Sequence, residues 1–206
     1  MIESIVNSMK TLEEELLYKD IQNAIDSGKS KTDIIESLQL GMTMVGELFA
    51  EKEYFLSELM LSAEIFAECQ KLLGGEDAVE AKYGTFVMGT VYGDIHDIGK
   101  NIVVSVMRSN GFKAVDIGVD ARPERYIEAI REHDPKVVGF SCLLTTAFDA
   151  MKDCIQQVRA AGLDKNRILL IGGGPCEEST ARYADADGLC KTPQDTVNKA
   201  IAFVKK

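Results

Sequence analysis

The chain has 206 residues, 46% of them hydrophobic, and 33 acidic side chains against 23 Lys and Arg give a formal net charge of −10. This is enough for one large domain or two small ones around a packed core, and the acidic balance argues against nucleic-acid and anionic-membrane partners, which need clustered Lys and Arg. Five scattered cysteines (Cys69, Cys142, Cys154, Cys176, Cys190) make a poor disulfide framework, the start lacks a basic leader with an apolar core, and no long uninterrupted apolar stretch occurs, so a cytoplasmic protein is expected.

From Ile5 to about Leu73 the apolar residues recur at helical spacing, as in Ile35, Leu38, Met42, Val45 and Phe49, the stripe of amphipathic helices. Ser27-Gly28 ends one helix and Ser30 with Asp33 resembles a capping box that opens the next. A further helix is predicted from Ser57 or Glu58 to Leu73, stopped by Gly74-Gly75, which makes four helices with a short first one. The polar stretch that follows reads as a linker, and the expected division is a helical domain over 1–75, a linker over 76–84 and an α/β domain over 85–206.

Beyond the linker the pattern changes. Thr85 to Val91 is a short apolar run of buried-strand type, followed by the periodic segment Ile98 to Met107 and the strand-like Ala114 to Ile117. The alternation continues with helix Glu124 to Arg131, strand Val137 to Phe140, helix Ala147 to Ala160 and strand Ile168 to Ile171. A helix near Glu177 to Tyr183, a short strand at Gly188-Leu189 and a helix from Gln194 to Val204 complete it. Five strands with intervening helices predict an open parallel sheet with helices on both faces.

Such sheets place ligands outside the carboxyl ends of their strands, where strand order reverses. There the first strand leads into Tyr92-Gly93-Asp94-Ile95-His96-Asp97-Ile98-Gly99, the third into Ser141-Cys142-Leu143-Leu144-Thr145-Thr146, the fourth into Gly172-Gly173-Gly174-Pro175 and the fifth into Gly188-Leu189-Cys190-Lys191-Thr192. Three readings of the first loop compete. Asp94 and Asp97 can simply cap the helix from Ile98 with His96 in solvent. A dinucleotide site is disfavoured because Gly93 and Gly99 lack the close-set glycine spacing that admits a pyrophosphate. In the third, one nitrogen of His96 binds a metal while Asp94 takes the other N–H. A zinc or iron site needs about three or four protein ligands, and the other histidine, His133, falls on the second crossover helix; a lone imidazole suits a metal already held by a macrocycle.

Asp94-x-His96-x-x-Gly99, Ser141-x-Leu143 and Gly172-Gly173 resemble the three-part signature of cobalamin-binding domains that hold the cofactor base-off with histidine on cobalt. The run Gly93-Asp94-Ile95-His96-Asp97-Ile98-Gly99-Lys100-Asn101-Ile102-Val103 is similar to the corresponding stretch of cobalamin-dependent methionine synthase and of the small corrinoid proteins of methyltransferase systems. The resemblance spans nearly the whole chain. Gly41-Met42 through Val45-Gly46-Glu47-Leu48-Phe49 to Phe55-Leu56 echoes the four-helix module that precedes the flavodoxin-like (Rossmann-like) domain in that family, with Ser57 where many relatives have proline.

The resemblance implies cobalamin or a related corrinoid as cofactor and His96 as the lower axial ligand of cobalt, with Asp94 and Ser141 in a relay behind it, although Ser141 can instead bond the nucleotide tail. It implies cofactor contacts from Gly93, Ile95, Asp97, Ile98, Gly99, Gly188 and Lys191, and from Leu143 as packing beside the tail. Thr145 contacts the cofactor or caps a helix, and Gly172 and Gly173 admit the tail or form a tight turn. Phe55 and Leu56 are the first choices to shield the upper cobalt face. The implied role is a methyl carrier, not catalytic alone, between a substrate-specific methyltransferase (methanol, methylamine or aromatic methyl ether donor) and an acceptor methyltransferase (coenzyme M or tetrahydrofolate), with a reductive activation protein as a further partner. A cobalamin-dependent sensor is the alternative, disfavoured by the acidic charge and the lack of a basic helix-turn-helix; the small subunit of a cobalamin mutase would ordinarily lack the four-helix module.

Overall fold

A computed structural model of the chain describes residues 1–74 and 81–206. It divides into two compact units, one over Met1–Lys82 with Ser109–Gly111 and one over Tyr83–Arg108 with Phe112–Lys206. Of the expected linker at 76–84, residues 76–80 lie outside the described residues.

The helical unit contains α1 (Glu3–Thr11), α2 (Glu14–Asp26), α3 (Lys31–Ala50) and α4 (Leu56–Leu73). The Ser30 hydroxyl accepts the Asp33 N–H at 3.0 Å and so caps α3 as its sequence predicts. Helix α4 begins a residue or two earlier than expected, because the Glu58 carboxylate reaches back to the Phe55 N–H at 2.9 Å and closes the first turn. Ser57 therefore lies in that first turn, where proline is tolerated, so the exchange leaves the fold unchanged. The striped faces meet in a core that includes Ile5, Met9, Leu38, Met42, Phe66 and Cys69. Gly41 sits where a Cβ would come within 2.6 Å of the Met9 Cβ, so the absence of a side chain lets α1 and α3 approach.

The α/β unit carries β1 (Thr85–Thr90), α5 (Ile98–Ser109), β2 (Lys113–Asp116), α6 (Pro123–His133), β3 (Val137–Ser141), α7 (Phe148–Ala160), β4 (Ile168–Gly172), α8 (Glu178–Ala184), β5 (Gly188–Cys190) and α9 (Pro193–Val204). A short 3-10 turn at Thr145–Ala147 precedes α7. All strand pairs are parallel, in the order β2-β1-β3-β4-β5. The chain steps one way from β1 to β2 and the other way from β2 onward. Right-handed crossovers then put α5 on one face of the sheet and α6, α7 and α8 on the other. The reversal lies between β1 and β3, so the loops leaving these two strands diverge there.

One face of the sheet packs Val87, Val138, Phe140, Leu169 and Ile171 against Tyr126, Met151, Ile155 and Val158 from the helices. Tyr126 is fully buried; its ring stacks on Phe140 at 4.5 Å and its hydroxyl donates to the Gly89 carbonyl at 2.8 Å. All five cysteines are free and buried. Burial pushes the thiols of Cys69, Cys142 and Cys154 up to about 12 and that of Cys176 up to about 11, and raises Cys190 as well. They are core residues, protonated at neutral pH, and not nucleophiles.

Two outcomes follow from this packing. A Tyr126→Phe exchange removes the buried hydrogen bond to the Gly89 carbonyl and is expected to cost about 0.5–1.5 kcal/mol in urea unfolding. A thiol reagent such as Ellman's is expected to leave the native protein unlabelled and to label five thiols once it is unfolded; labelling of a native cysteine on the same time scale as a free thiol would contradict their burial.

Candidate functional site

The loop between β1 and α5 is built around one buried carboxylate. Gly93, in the left-handed region at φ 80°, turns the chain so that Asp94 points inward and is fully buried. Asp94 Oδ1 accepts the His96 backbone N–H at 3.0 Å and meets His96 Nδ1 at 2.6 Å. Asp94 Oδ2 accepts the backbone N–H groups of Leu143 at 2.6 Å and Leu144 at 3.1 Å, from the loop that leaves β3. One side chain thus ties together the two loops that diverge at the switch point. Burial by itself would push the Asp94 carboxyl up, but the hydrogen bonds from the His96 amide and ring and from the Leu143 and Leu144 amides outweigh it and hold its pKa down at about 2.

An ionised carboxylate can only accept, so Nδ1 carries the proton and Nε2 of the neutral ring is left with its lone pair available. The His96 side chain is 48% exposed while Asp94 is 0%, so the ring is oriented from below and open above. Thr90 at the end of β1 fixes the loop from another side, its hydroxyl donating to the His96 carbonyl at 2.9 Å. Around the ring lie apolar side chains left in solvent: Ile95 at 73% and Ile98 at 74%, with Leu143 and Leu144 from the neighbouring loop also exposed. Exposed aliphatic residues beside an oriented imidazole form a surface suited to a flat, largely apolar ligand.

Asp97 immediately precedes α5, its carbonyl accepting the Asn101 N–H at 2.8 Å, and Gly99 in the first turn leaves open space where a Cβ would stand. The Ser141 relay is not seen in this geometry. Both Asp94 oxygens are occupied by other donors, and the Ser141 hydroxyl makes no hydrogen bond among the described residues; its carbonyl instead accepts the Val91 N–H at 3.1 Å. Backbone amides took the place expected for the hydroxyl because the chain turns sharply after β3 and aims two N–H groups at the carboxylate. Thr145 opens the 3-10 turn without capping it.

The glycines divide by cause. Gly173, at φ 133°, would overlap the Cys142 carbonyl with any Cβ, and Gly172 would bring one to 3.1 Å from the Cys190 carbonyl. Close approach of neighbouring backbone, from a loop at Gly173 and from the paired strand β5 at Gly172, meets both. Gly188 is the first residue of β5, within the short strand its sequence predicts, paired with Leu170, where a Cβ would meet the Leu170 side chain at 3.1 Å. Lys191 does lie past the end of β5, and its ammonium donates to the Cys176 carbonyl at 2.6 Å. Phe55 and Leu56, both exposed, belong to the helical unit. Sequence reasoning missed Thr90, the Leu144 amide and Asp120, whose Oδ1 accepts the Gly93 N–H at 2.7 Å. A polar residue ending a buried strand was the one available signal for Thr90; a backbone amide leaves none.

Among the described residues no cluster of three or more His, Cys, Asp or Glu side chains could hold a metal ion. The single imidazole therefore fits a metal whose other positions are filled by its own macrocycle. Residues 84–202 match the B12 binding domain family. This chain belongs to the B12-binding corrinoid proteins of methyltransferase systems. Residues 1–72 of this corrinoid protein match a second family, also described as a B12 binding domain. It is 33% identical to a corrinoid protein of Desulfitobacterium hafniense over the full length of both chains. It is 35% identical to dimethylamine corrinoid protein 1 of Methanosarcina acetivorans over 86% of each. Among solved structures, a cobalamin-binding protein of Desulfitobacterium hafniense matches at a TM-score of 0.83 and 29% identity over 98% of each chain. The methanol:cobalamin methyltransferase complex of Methanosarcina barkeri matches at 0.83 and 29%, covering 99% of this chain and 79% of that one. The cofactor is cobalamin or a related corrinoid, and the open imidazole with its aliphatic surround fits it.

Because Asn carries a single acceptor oxygen, an Asp94→Asn corrinoid protein cannot serve both His96 and the Leu143 and Leu144 amides. The ligand-free variant is expected to lose about 1–3 kcal/mol in urea unfolding, the cost of stranding buried donors. An unchanged midpoint would show that the carboxylate bridge is energetically idle.

Proposed function

We propose that this protein carries methyl groups, binding its corrinoid base-off with His96 Nε2 as the lower ligand of cobalt. The observation that carries this reading is the ring itself: Nδ1 is held on the buried Asp94 carboxylate at 2.6 Å while the rest of the imidazole stands open among exposed aliphatic side chains. When bound, the corrinoid supplies the methyl chemistry, its cobalt taking a methyl group from a donor and yielding it to a nucleophile. The chain's own residues orient the ligand: Asp94 fixes the tautomer and direction of the ring, as carboxylate partners do for metal-bound histidines. Gly93, Ile95, Asp97, Ile98, Gly99 and Leu143 make up the face offered to the corrin. Ser141, Thr145, Gly172, Gly173 and Lys191 stand at the same edge as candidate contacts to the nucleotide tail, and Phe55 and Leu56 are the helical unit's candidates.

In this reading the carrier works in the cytoplasm between a substrate-specific and an acceptor methyltransferase, with a reductive activation protein restoring cobalt that has become oxidised. Methylamines and methanol are the favoured donors: relatives of 31–35% identity include trimethylamine and dimethylamine corrinoid proteins, and one structural relative is part of a methanol:cobalamin methyltransferase complex. Coenzyme M or tetrahydrofolate is the proposed acceptor, and an aromatic methyl ether is the third donor class.

Reconstitution with hydroxocobalamin tests the ligand. The protein is expected to give a base-off, histidine-on absorption spectrum and His96→Ala a histidine-off one; identical spectra would remove His96 from cobalt. Methyl transfer from methanol or a methylamine in the presence of a donor methyltransferase tests the carrier role, whereas light- or ligand-dependent association without turnover would favour a sensor.

A further inference from the structure

The loop leaving β2 grips the histidine loop from the side opposite β3. Asp120 adopts the left-handed conformation at φ 52° although it is not glycine, a state that Asp tolerates but that still needs support from its surroundings. In that conformation its amide donates to the Asp94 carbonyl at 3.0 Å and its Oδ1 accepts the Gly93 N–H at 2.7 Å. The two contacts seize the two residues that aim Asp94 at His96. Neighbouring bonds continue the grip: the Ala121 N–H donates to the Thr90 carbonyl at 2.9 Å and the Tyr92 N–H to the Ala121 carbonyl at 3.1 Å.

The grip is itself anchored. At the root of the loop, Asp116 Oδ1 accepts the Gly118 N–H at 2.8 Å, and Asp116 Oδ2 meets the Lys100 ammonium at 2.5 Å. Lys100 is 2% exposed and lies in the first turn of α5. A cation there opposes the helix dipole, and burying an ammonium is costly without a partner. The Lys100–Asp116 pair meets both costs by locking the strand end from which Asp120 projects to the helix that His96 precedes.

We propose that Asp120 is a positioning residue for His96, setting the height and tilt at which the imidazole is presented to cobalt. The proposal rests on the histidine-on reading above, so its test must separate the two. Wild type, Asp120→Gly, Asp120→Asn and His96→Ala are each loaded with hydroxocobalamin and reduced to the cobalt(II) state. The histidine-off to histidine-on ratio is read from the absorption spectrum, and the axial nitrogen splitting from electron paramagnetic resonance, at a pH where the wild type is partly converted. Gly keeps the left-handed backbone but lacks the acceptor, so the ratio is expected to rise about fivefold, roughly what one hydrogen bond is worth. Asn keeps an Oδ1 acceptor and is expected to stay within about twofold of wild type. An unchanged ratio in Asp120→Gly, or equal shifts in Gly and Asn, overturns the positioning role while His96→Ala still loses the nitrogen splitting. Splitting retained in His96→Ala overturns the histidine-on reading instead. Circular dichroism of the ligand-free variants checks folding, and Asp120→Ala, which also lacks the acceptor, replaces the glycine variant if that one does not fold.

Discussion

The structure around His96 depends on one buried negative charge with four hydrogen bonds. Asp94 is fully buried, and its two oxygens divide their work, one toward His96 and one toward the amides of Leu143 and Leu144. A carboxylate removed from water is costly unless its lone pairs are met. Here the donors come from two loops that leave adjacent strands at the point where the chain turns to opposite sides of the sheet. The charge therefore joins the loops, fixes the tautomer of the imidazole and leaves its second nitrogen outward. Orientation and local stability have the same cause.

The parallel sheet makes this arrangement possible. Because all five strands run the same way, every loop that leaves a strand emerges on one edge, and close approach there is allowed only where side chains are missing. Gly173 lies against the Cys142 carbonyl and Gly172 against the Cys190 carbonyl, so the β3, β4 and β5 exits pack shoulder to shoulder. On the far side, Asp120 and the Lys100–Asp116 pair brace the same loop against β2 and α5. The histidine is held from both sides, while Ile95 and Ile98 beside it remain in solvent.

Where the geometry adds to or shifts the sequence reading, it does so for related reasons. The resemblance implied Ser141 in a relay behind Asp94 or on the nucleotide tail, and the amides of Leu143 and Leu144, which no sequence pattern marks, are the donors that meet Asp94 from that loop. Gly188, which the resemblance implied as a cofactor contact, starts the short β5 opposite Leu170. Helix α4 opens at Leu56 because Glu58 folds back onto the Phe55 N–H; a capping contact of this kind shifts a boundary that periodicity alone leaves loose.

Periodicity, punctuation and one short motif by themselves determined the four helices, the five buried strands, the parallel α/β class and the singling out of His96 with Asp94, because these rest on local spacing and on residue chemistry. Only the tertiary structure decided which donors complete the carboxylate, which glycines serve backbone packing, and that Thr90 and Asp120 secure the loop. Those outcomes depend on atoms brought together from 18 to 50 positions apart in the chain, or on the path of a turn, and no local pattern carries that distance.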